Sequence, residues 1–100
     1  MNRTDLLDLH KGTCARAFNI MTERNTTYAS DIDPLKNFHL SGATGIIVHI
    51  GDKFLRLENL YSKEEDVETI LSTVFYDSIY DIINYLILLV AYLETHGKKK

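Results

Sequence analysis

Apolar residues at helical spacing dominate the middle of the chain. After Gly45 they recur at alternating intervals of three and four residues: Ile47, Ile50, Phe54, Leu57 and Tyr61. This spacing predicts an amphipathic helix that buries the stripe. Three polar residues fall on the opposite side of the same helix, where they form one polar stripe: Asp52, Arg56 and Asn59. At 100° per residue, that stripe faces directly away from the predicted core.

A second helix is predicted over residues 74–93, and its final segment, residues 85–93, is apolar on every side. An all-apolar surface predicts burial, either in the centre of the fold or at a subunit interface. The uninterrupted apolar run is too short for a membrane span, which needs roughly 20 residues. We therefore expect no membrane partner for this chain.

Asp77, Asp81 and Asn84 share one face of this last helix because they lie four and three residues apart. Carboxylates on a buried face need partners, which leaves two interpretations open. One is a structural ion-pair network with Lys53 and Arg56. The other is a site where the aspartates hold Mg²⁺ and Arg56 contacts phosphate oxygens.

The first part of the chain predicts one further helix and a long connection. A helix is expected from about residue 5 to residue 24, with Thr4 as its N-cap and an apolar stripe that includes Cys14 in the core. Residues 25–45 hold the single proline and read as a loop that ends in a glycine-rich helix entry. Ser62 and Glu65 have the spacing of a capping box and predict the start of another helical segment.

Composition and charge narrow the class of protein. With 100 residues, of which 45% are hydrophobic and 25% charged, the chain is expected to form one folded domain over residues 1–97, followed by a basic tail at residues 98–100. The net charge of −3 has the wrong sign for a duplex nucleic-acid binder. A single cysteine and the lack of a charged-then-apolar leader predict a cytoplasmic protein.

Four stretches occur in a specific order: residues 24–28, 33–38, 51–60 and 77–85. The third contains Asp-Lys-x-x-Arg-x-x-Asn-Leu and the fourth contains Asp-x-x-x-Asp-x-x-Asn-Tyr. Through them, the chain from about residue 5 to residue 94 resembles the small MazG-like proteins of bacteriophages, or nucleotide-modification-associated domains, of the all-α NTP pyrophosphatase superfamily. The resemblance implies a phage-encoded helical bundle that forms a homo-oligomer and holds a nucleotide and Mg²⁺ between its helices.

The resemblance also assigns roles to individual residues. Matching positions make Asp52, Asp77 and Asp81 the expected catalytic and metal-binding residues. The expected nucleotide-binding residues are Tyr28, Lys53, Arg56, Asn59, Asn84 and Tyr85. The implied activity is Mg²⁺-dependent nucleotide pyrophosphohydrolysis in the cytoplasm, which is the host cytoplasm for a viral protein.

Three positions depart from the family's pattern. Thr27 stands where the family has an acid before the loop tyrosine, Thr73 replaces a glutamate, and His49 replaces an arginine. Losing a carboxylate weakens a site for a hard divalent cation. A second hypothesis is therefore a degenerate nucleotide binder that sequesters a nucleotide, such as a host defence signal, without hydrolysing it. A third is a helical interaction protein in which the polar stripes are purely structural.

Overall fold

The structure, a computed structural model, describes residues 1–28, 33–63 and 73–96, and among these the side chains of all but residues 26–28, 63 and 73. Three α-helices account for most of this part: α1 (Arg3–Tyr28), α2 (Gly42–Lys63) and α3 (Thr73–His96). A short 3-10 helix, Lys36–Phe38, lies between α1 and α2. The described residues contain no strand, so the predicted all-α class is confirmed. The basic tail at residues 98–100 lies outside the described residues.

Asn2, and not Thr4, caps the N-terminus of α1. Its side-chain oxygen accepts a hydrogen bond from the Asp5 amide at 2.8 Å, and its own amide donates to the Asp5 carboxylate at 3.2 Å. This reciprocal pair satisfies two amides that would otherwise lack partners in the first turn. The helix begins two residues earlier than predicted because the cap is formed by asparagine.

The two ends of α2 differ in how well the sequence anticipates them. Its first residue, Gly42, has φ +63°, and a side chain there would place its Cβ 3.1 Å from the Tyr92 hydroxyl, so the predicted glycine-rich entry is confirmed. At the other end, the Ser62 hydroxyl donates to the Glu58 carbonyl at 2.8 Å. Ser62 therefore lies inside α2 and does not begin a new helix, while Glu65 lies outside the described residues.

Helix α3 is the central element and packs against both α1 and α2. The contact with α1 is close because Ala17, only 2% exposed, presents a small side chain there. The Asn84 side-chain amide donates to the Ala17 carbonyl at 3.0 Å and fixes the two helices to each other. Five apolar residues are buried in the described part of the chain: Ala17, Leu35, Ile46, Ile50 and Ile82.

Helix α2 buries only part of the stripe that its sequence predicts. Ile50 is buried and Leu57 half-buried as predicted, whereas Ile47, Phe54 and Tyr61 are each more than half exposed. The buried side is shifted toward Ile46, which the prediction left out and which is fully buried. The predicted polar stripe, in contrast, is exposed throughout.

Much of the apolar surface of α1 and α3 also lies open. Cys14, which the sequence places in the core, is exposed, and so is Phe18 of the same helix. On α3, Leu86, Ile87 and Val90 are between 45% and 53% exposed. The predicted burial of residues 85–93 on every side is therefore wrong for the single chain.

By length and composition alone, α3 could cross a membrane over its 23 residues from Val74 to His96. From the sequence, a membrane span was considered and rejected on length, because the apolar run was counted from Tyr85, or from Ile79 at the earliest, and not over the whole helix. Core helices of other proteins pass the same test, but here only 11% of the window is buried within the chain. Asp81 and Asn84 of this helix contact the other helices, as described below. No described residue covers the exposed side that carries Leu86, Ile87 and Val90.

Candidate functional site

A cavity of about 210 Å³ lies where α1, the 3-10 helix, α2 and α3 meet. Each of these elements contributes to its wall. The lining residues are Met21, Arg24, Asn25, Pro34, Asn37, Phe38, Lys53, Asp81, Asn84, Tyr85 and Leu88. We call this space the interhelical cavity. Its wall combines charged groups, side-chain amides and aromatic rings, the mixture typical of small-molecule sites.

The charged edge of the cavity is built around Asp81. Its Oδ1 lies 2.5 Å from Arg24 Nη1, and its Oδ2 lies 3.2 Å from Lys53 Nζ. The Asp81 side chain is only 15% exposed, whereas Arg24 is 50% and Lys53 30% exposed. A carboxylate this sheltered requires charged partners, and it finds them on two different helices.

Local sequence explains how both cations reach this edge. On α1, Arg24 continues the face of Ala17 and Met21, at spacings of four and three residues. On α2, Lys53 follows Ile46 and Ile50 at the same spacings, so it lies on the inner face. Packing of α3 against both helices therefore directs one cation from each side toward Asp81.

An aromatic wall lies beside the charged edge. Phe38 and Tyr85 meet edge to face, with ring centroids 6.4 Å apart. His49 stacks against Tyr85 at 5.2 Å, with an angle of 4° between the rings. Phe38 also meets the edge of His49 at 6.1 Å. His49 thus supports the ring of Tyr85 and gives a structural role to a position where the MazG-like pattern has arginine.

Side-chain amides supply the neutral polar groups of the cavity. Asn25 donates from Nδ2 to the Pro34 carbonyl at 3.1 Å, which holds the connection against α1. Asn84 donates to Ala17, as described above, and Asn37 follows Lys36 on the 3-10 helix. Each amide carries both donors and an acceptor, so Asn25 and Asn84 retain further hydrogen-bonding capacity beyond these bonds.

The structure brings four of the predicted site residues together at the cavity: Lys53, Asp81, Asn84 and Tyr85. Four others do not line it. Asp52, Arg56 and Asn59 are exposed on the outer side of α2, and Asp77 is half-buried one turn before Asp81. The side chain of Tyr28, like those of Thr27 and Thr73, lies outside the described residues.

The side chains near the cavity decide whether it can hold the predicted Mg²⁺. No group of three or more His, Cys, Asp or Glu side chains that could hold a metal occurs among the described residues, so Asp52, Asp77 and Asp81 do not form one. Both oxygens of Asp81 are occupied by cations. A divalent ion requires oxygen ligands that are not neutralised in this way. The described lining therefore does not fit the magnesium centre that the resemblance implies.

Seven residues of the cavity wall were not predicted from the sequence, and four of them carry polar or aromatic groups: Arg24, Asn25, Asn37 and Phe38. Arg24 is the most important because it, and not Arg56, pairs with Asp81. A signal existed in its register with Ala17 and Met21, which places it on the inner face of α1. Asn25 follows Arg24 on α1, whereas the positions of Asn37 and Phe38 depend on how the connection folds back, which no periodicity reveals.

When the chain is compared with models of known protein families, with curated proteins and with solved structures, no match is found. The MazG-like resemblance therefore remains a prediction from sequence.

Proposed function

We propose that the chain binds a nucleotide in the interhelical cavity and does not hydrolyse it. The observation that carries this proposal is the convergence of Arg24 and Lys53, from two helices, at one edge of a cavity with an aromatic wall. Among the described lining residues, the positive charges outnumber the negative one. The cavity is thus suited to an anionic ligand despite the overall acidity of the chain.

The charged edge suits a phosphate group. The Arg24 guanidinium can form paired hydrogen bonds to phosphate oxygens, and Lys53 adds a compact point charge. Both groups are partly sheltered, which makes their interaction with an anion stronger than at an open surface. Arg24 remains half exposed, so a ligand can reach it from solvent.

The remaining wall suits a planar heterocycle. Phe38 and Tyr85 offer aromatic surface, and Met21 and Leu88 add apolar contacts on the same cavity. The amides of Asn25 and Asn84 provide donors and acceptors that can read the edge of a base. A ligand with a phosphate at one end and a base at the other matches this division of the wall.

Binding without hydrolysis is favoured over pyrophosphohydrolysis because the cavity wall has too few carboxylates to hold Mg²⁺. The hydrolytic mechanism that the resemblance implies relies on several carboxylates that hold Mg²⁺, and the described cavity wall supplies one that is already paired. Arg and Lys contacts to phosphate need no metal. Sequestration of a nucleotide is the activity that such a site supports.

The proposal is tested by incubating the purified protein with a panel of nucleoside mono-, di- and triphosphates and cyclic nucleotides, with and without Mg²⁺. Protein is separated from free ligand and denatured, and the released molecules are identified by mass. We expect one class of nucleotide to be retained intact under both conditions. Recovery of a cleaved product would show an enzyme, and no retention would remove nucleotide binding from consideration.

A further inference from the structure

Asp81 occupies an unusual position for a cavity residue. It is the one carboxylate among the described lining residues, and each of its oxygens contacts a different cation. Arg24 and Lys53 come from separate helices and have Asp81 in common. The carboxylate therefore occupies the place where an anionic ligand would meet both cations.

We infer that Asp81 is an internal substitute for the ligand's phosphate. This inference rests on the proposed nucleotide site and specifies how that site is kept ready. In the free protein, Asp81 holds Arg24 and Lys53 in position, and an incoming phosphate displaces it from one or both cations. Carboxylate and phosphate are interchangeable in this respect, because a guanidinium recognises either with paired hydrogen bonds.

The position of Asp81 between the two cations has an energetic reason. Without an anion between them, two cations that converge on a sheltered edge repel each other, and the repulsion grows as water is excluded. Asp81 removes this cost in the free protein. It also lowers the affinity for the ligand, because each phosphate contact requires that an existing ion pair be broken.

This role differs from that of a metal ligand in a measurable way. A metal ligand contributes its charge to binding, so its neutralisation weakens the nucleotide complex. An internal competitor opposes binding, so its neutralisation strengthens the complex. The Asp81→Asn variant keeps the size of the side chain and removes only the charge.

The test is calorimetric titration of the wild type and of Asp81→Asn with inorganic pyrophosphate and with ATP, in the absence of divalent ions. Glu94→Gln, the same chemical change at an exposed position of α3, serves as the matched control. We expect Asp81→Asn to bind at least about tenfold more tightly, the effect of one hydrogen-bonded charge pair. Glu94→Gln is expected to match the wild type.

The outcomes separate this inference from the proposed function. If the wild type binds and a folded Asp81→Asn variant binds equally or more weakly, the substitute role is wrong while nucleotide binding stands. If neither protein binds either probe at millimolar concentration, the proposed function fails and this inference with it.

Removal of Asp81 also leaves Arg24 and Lys53 without a shared anion, so the variant is expected to be less stable when free. Its thermal midpoint is then expected to rise more steeply with added pyrophosphate than that of the wild type. If Asp81→Asn is unfolded without ligand, recovery of helical circular dichroism on addition of pyrophosphate supports the inference. Failure of every added anion to restore the fold would overturn it.

Discussion

The two sides of α2 have similar compositions but very different surroundings. The inner side carries Ile46, Ile50 and Lys53 and faces α3. The rest of its surface is exposed and carries Ile47 and Phe54 on one flank and the polar stripe on the other; we call it the outer side. Apolar residues thus recur at helical spacing on both sides, and only the partner decides which stripe becomes core. The difference teaches that a polar residue inside a buried stripe can mark the edge of a cavity, as Lys53 does beside Asp81.

The largest expected difference between the two sides concerns stability, and two adjacent isoleucines measure it. Ile46 is 0% exposed and Ile47 is 55% exposed. We expect Ile46→Ala to lower the free energy of unfolding by about 2–5 kcal/mol, through lost burial and a residual cavity. Ile47→Ala is expected to cost less than about 1 kcal/mol. Urea unfolding at low protein concentration measures both; equal losses would place the core elsewhere.

The next largest effect concerns ligand binding at the inner side. The double variant Arg24→Gln/Lys53→Gln is expected to weaken nucleotide binding by about 100-fold or more, because two charge-assisted contacts to phosphate are lost. Lys11→Gln/Arg16→Gln, the same two changes at exposed positions of α1, is the control for the change in net charge. Titration of each variant with the retained nucleotide provides the measurement. Affinity within a factor of three of the wild type in the double variant would contradict the assignment of the charged edge.

A smaller effect is expected at the outer side, where a groove is lined by apolar residues of α2 and Phe75, with Glu58 beside them. The resemblance predicts a homo-oligomer, and we expect a second copy of the chain to cover this groove. Phe54→Glu is then expected to raise the dissociation constant of the oligomer at least about tenfold, since it places a charge where the second copy would bury the Phe54 ring.

Light scattering after size exclusion, over a range of concentrations, measures that shift. Phe18→Glu, on an exposed part of α1, controls for the loss of an exposed aromatic residue. A wild type that stays monomeric at high concentration would refute the oligomer.

The open apolar surface of α3 has a separate test. Flotation of the wild type with lipid vesicles would identify a membrane as the cover for this surface.

The smallest effects are expected on the polar stripe. Asp52→Asn and Arg56→Gln lie on the exposed outer side of α2, away from the interhelical cavity. Each is expected to change nucleotide affinity by less than about twofold, because exposed charges at a distance are screened by salt. A loss of tenfold or more in either variant would favour the metal-dependent hydrolase over the binder, because those residues belong to its predicted site.

Sequence periodicity predicted the three described helices, but not all of their ends and not their contacts. It predicted an all-α chain and placed Asp81 and Asn84 on one polar face that needed partners, and both have partners in the structure. It did not identify Arg24, because the partner of a buried charge depends on which helices meet. It also centred the buried stripe of α2 wrongly: Ile50 is buried as predicted, but Ile46 was left out. The reason is that Lys53 interrupts the buried side, and a lysine is rarely expected in a core.

The central claim is that a phosphate-bearing ligand lies in the interhelical cavity, and the two methionines of the chain allow a direct test. Met21 lines the cavity, whereas Met1 is 85% exposed at the N-terminus. Carbon-13 methyl labelling of methionine gives one resonance for each. We predict that the retained nucleotide shifts the Met21 resonance saturably and leaves Met1 unchanged. Saturable binding, seen by calorimetry, that leaves Met21 unmoved would contradict the account.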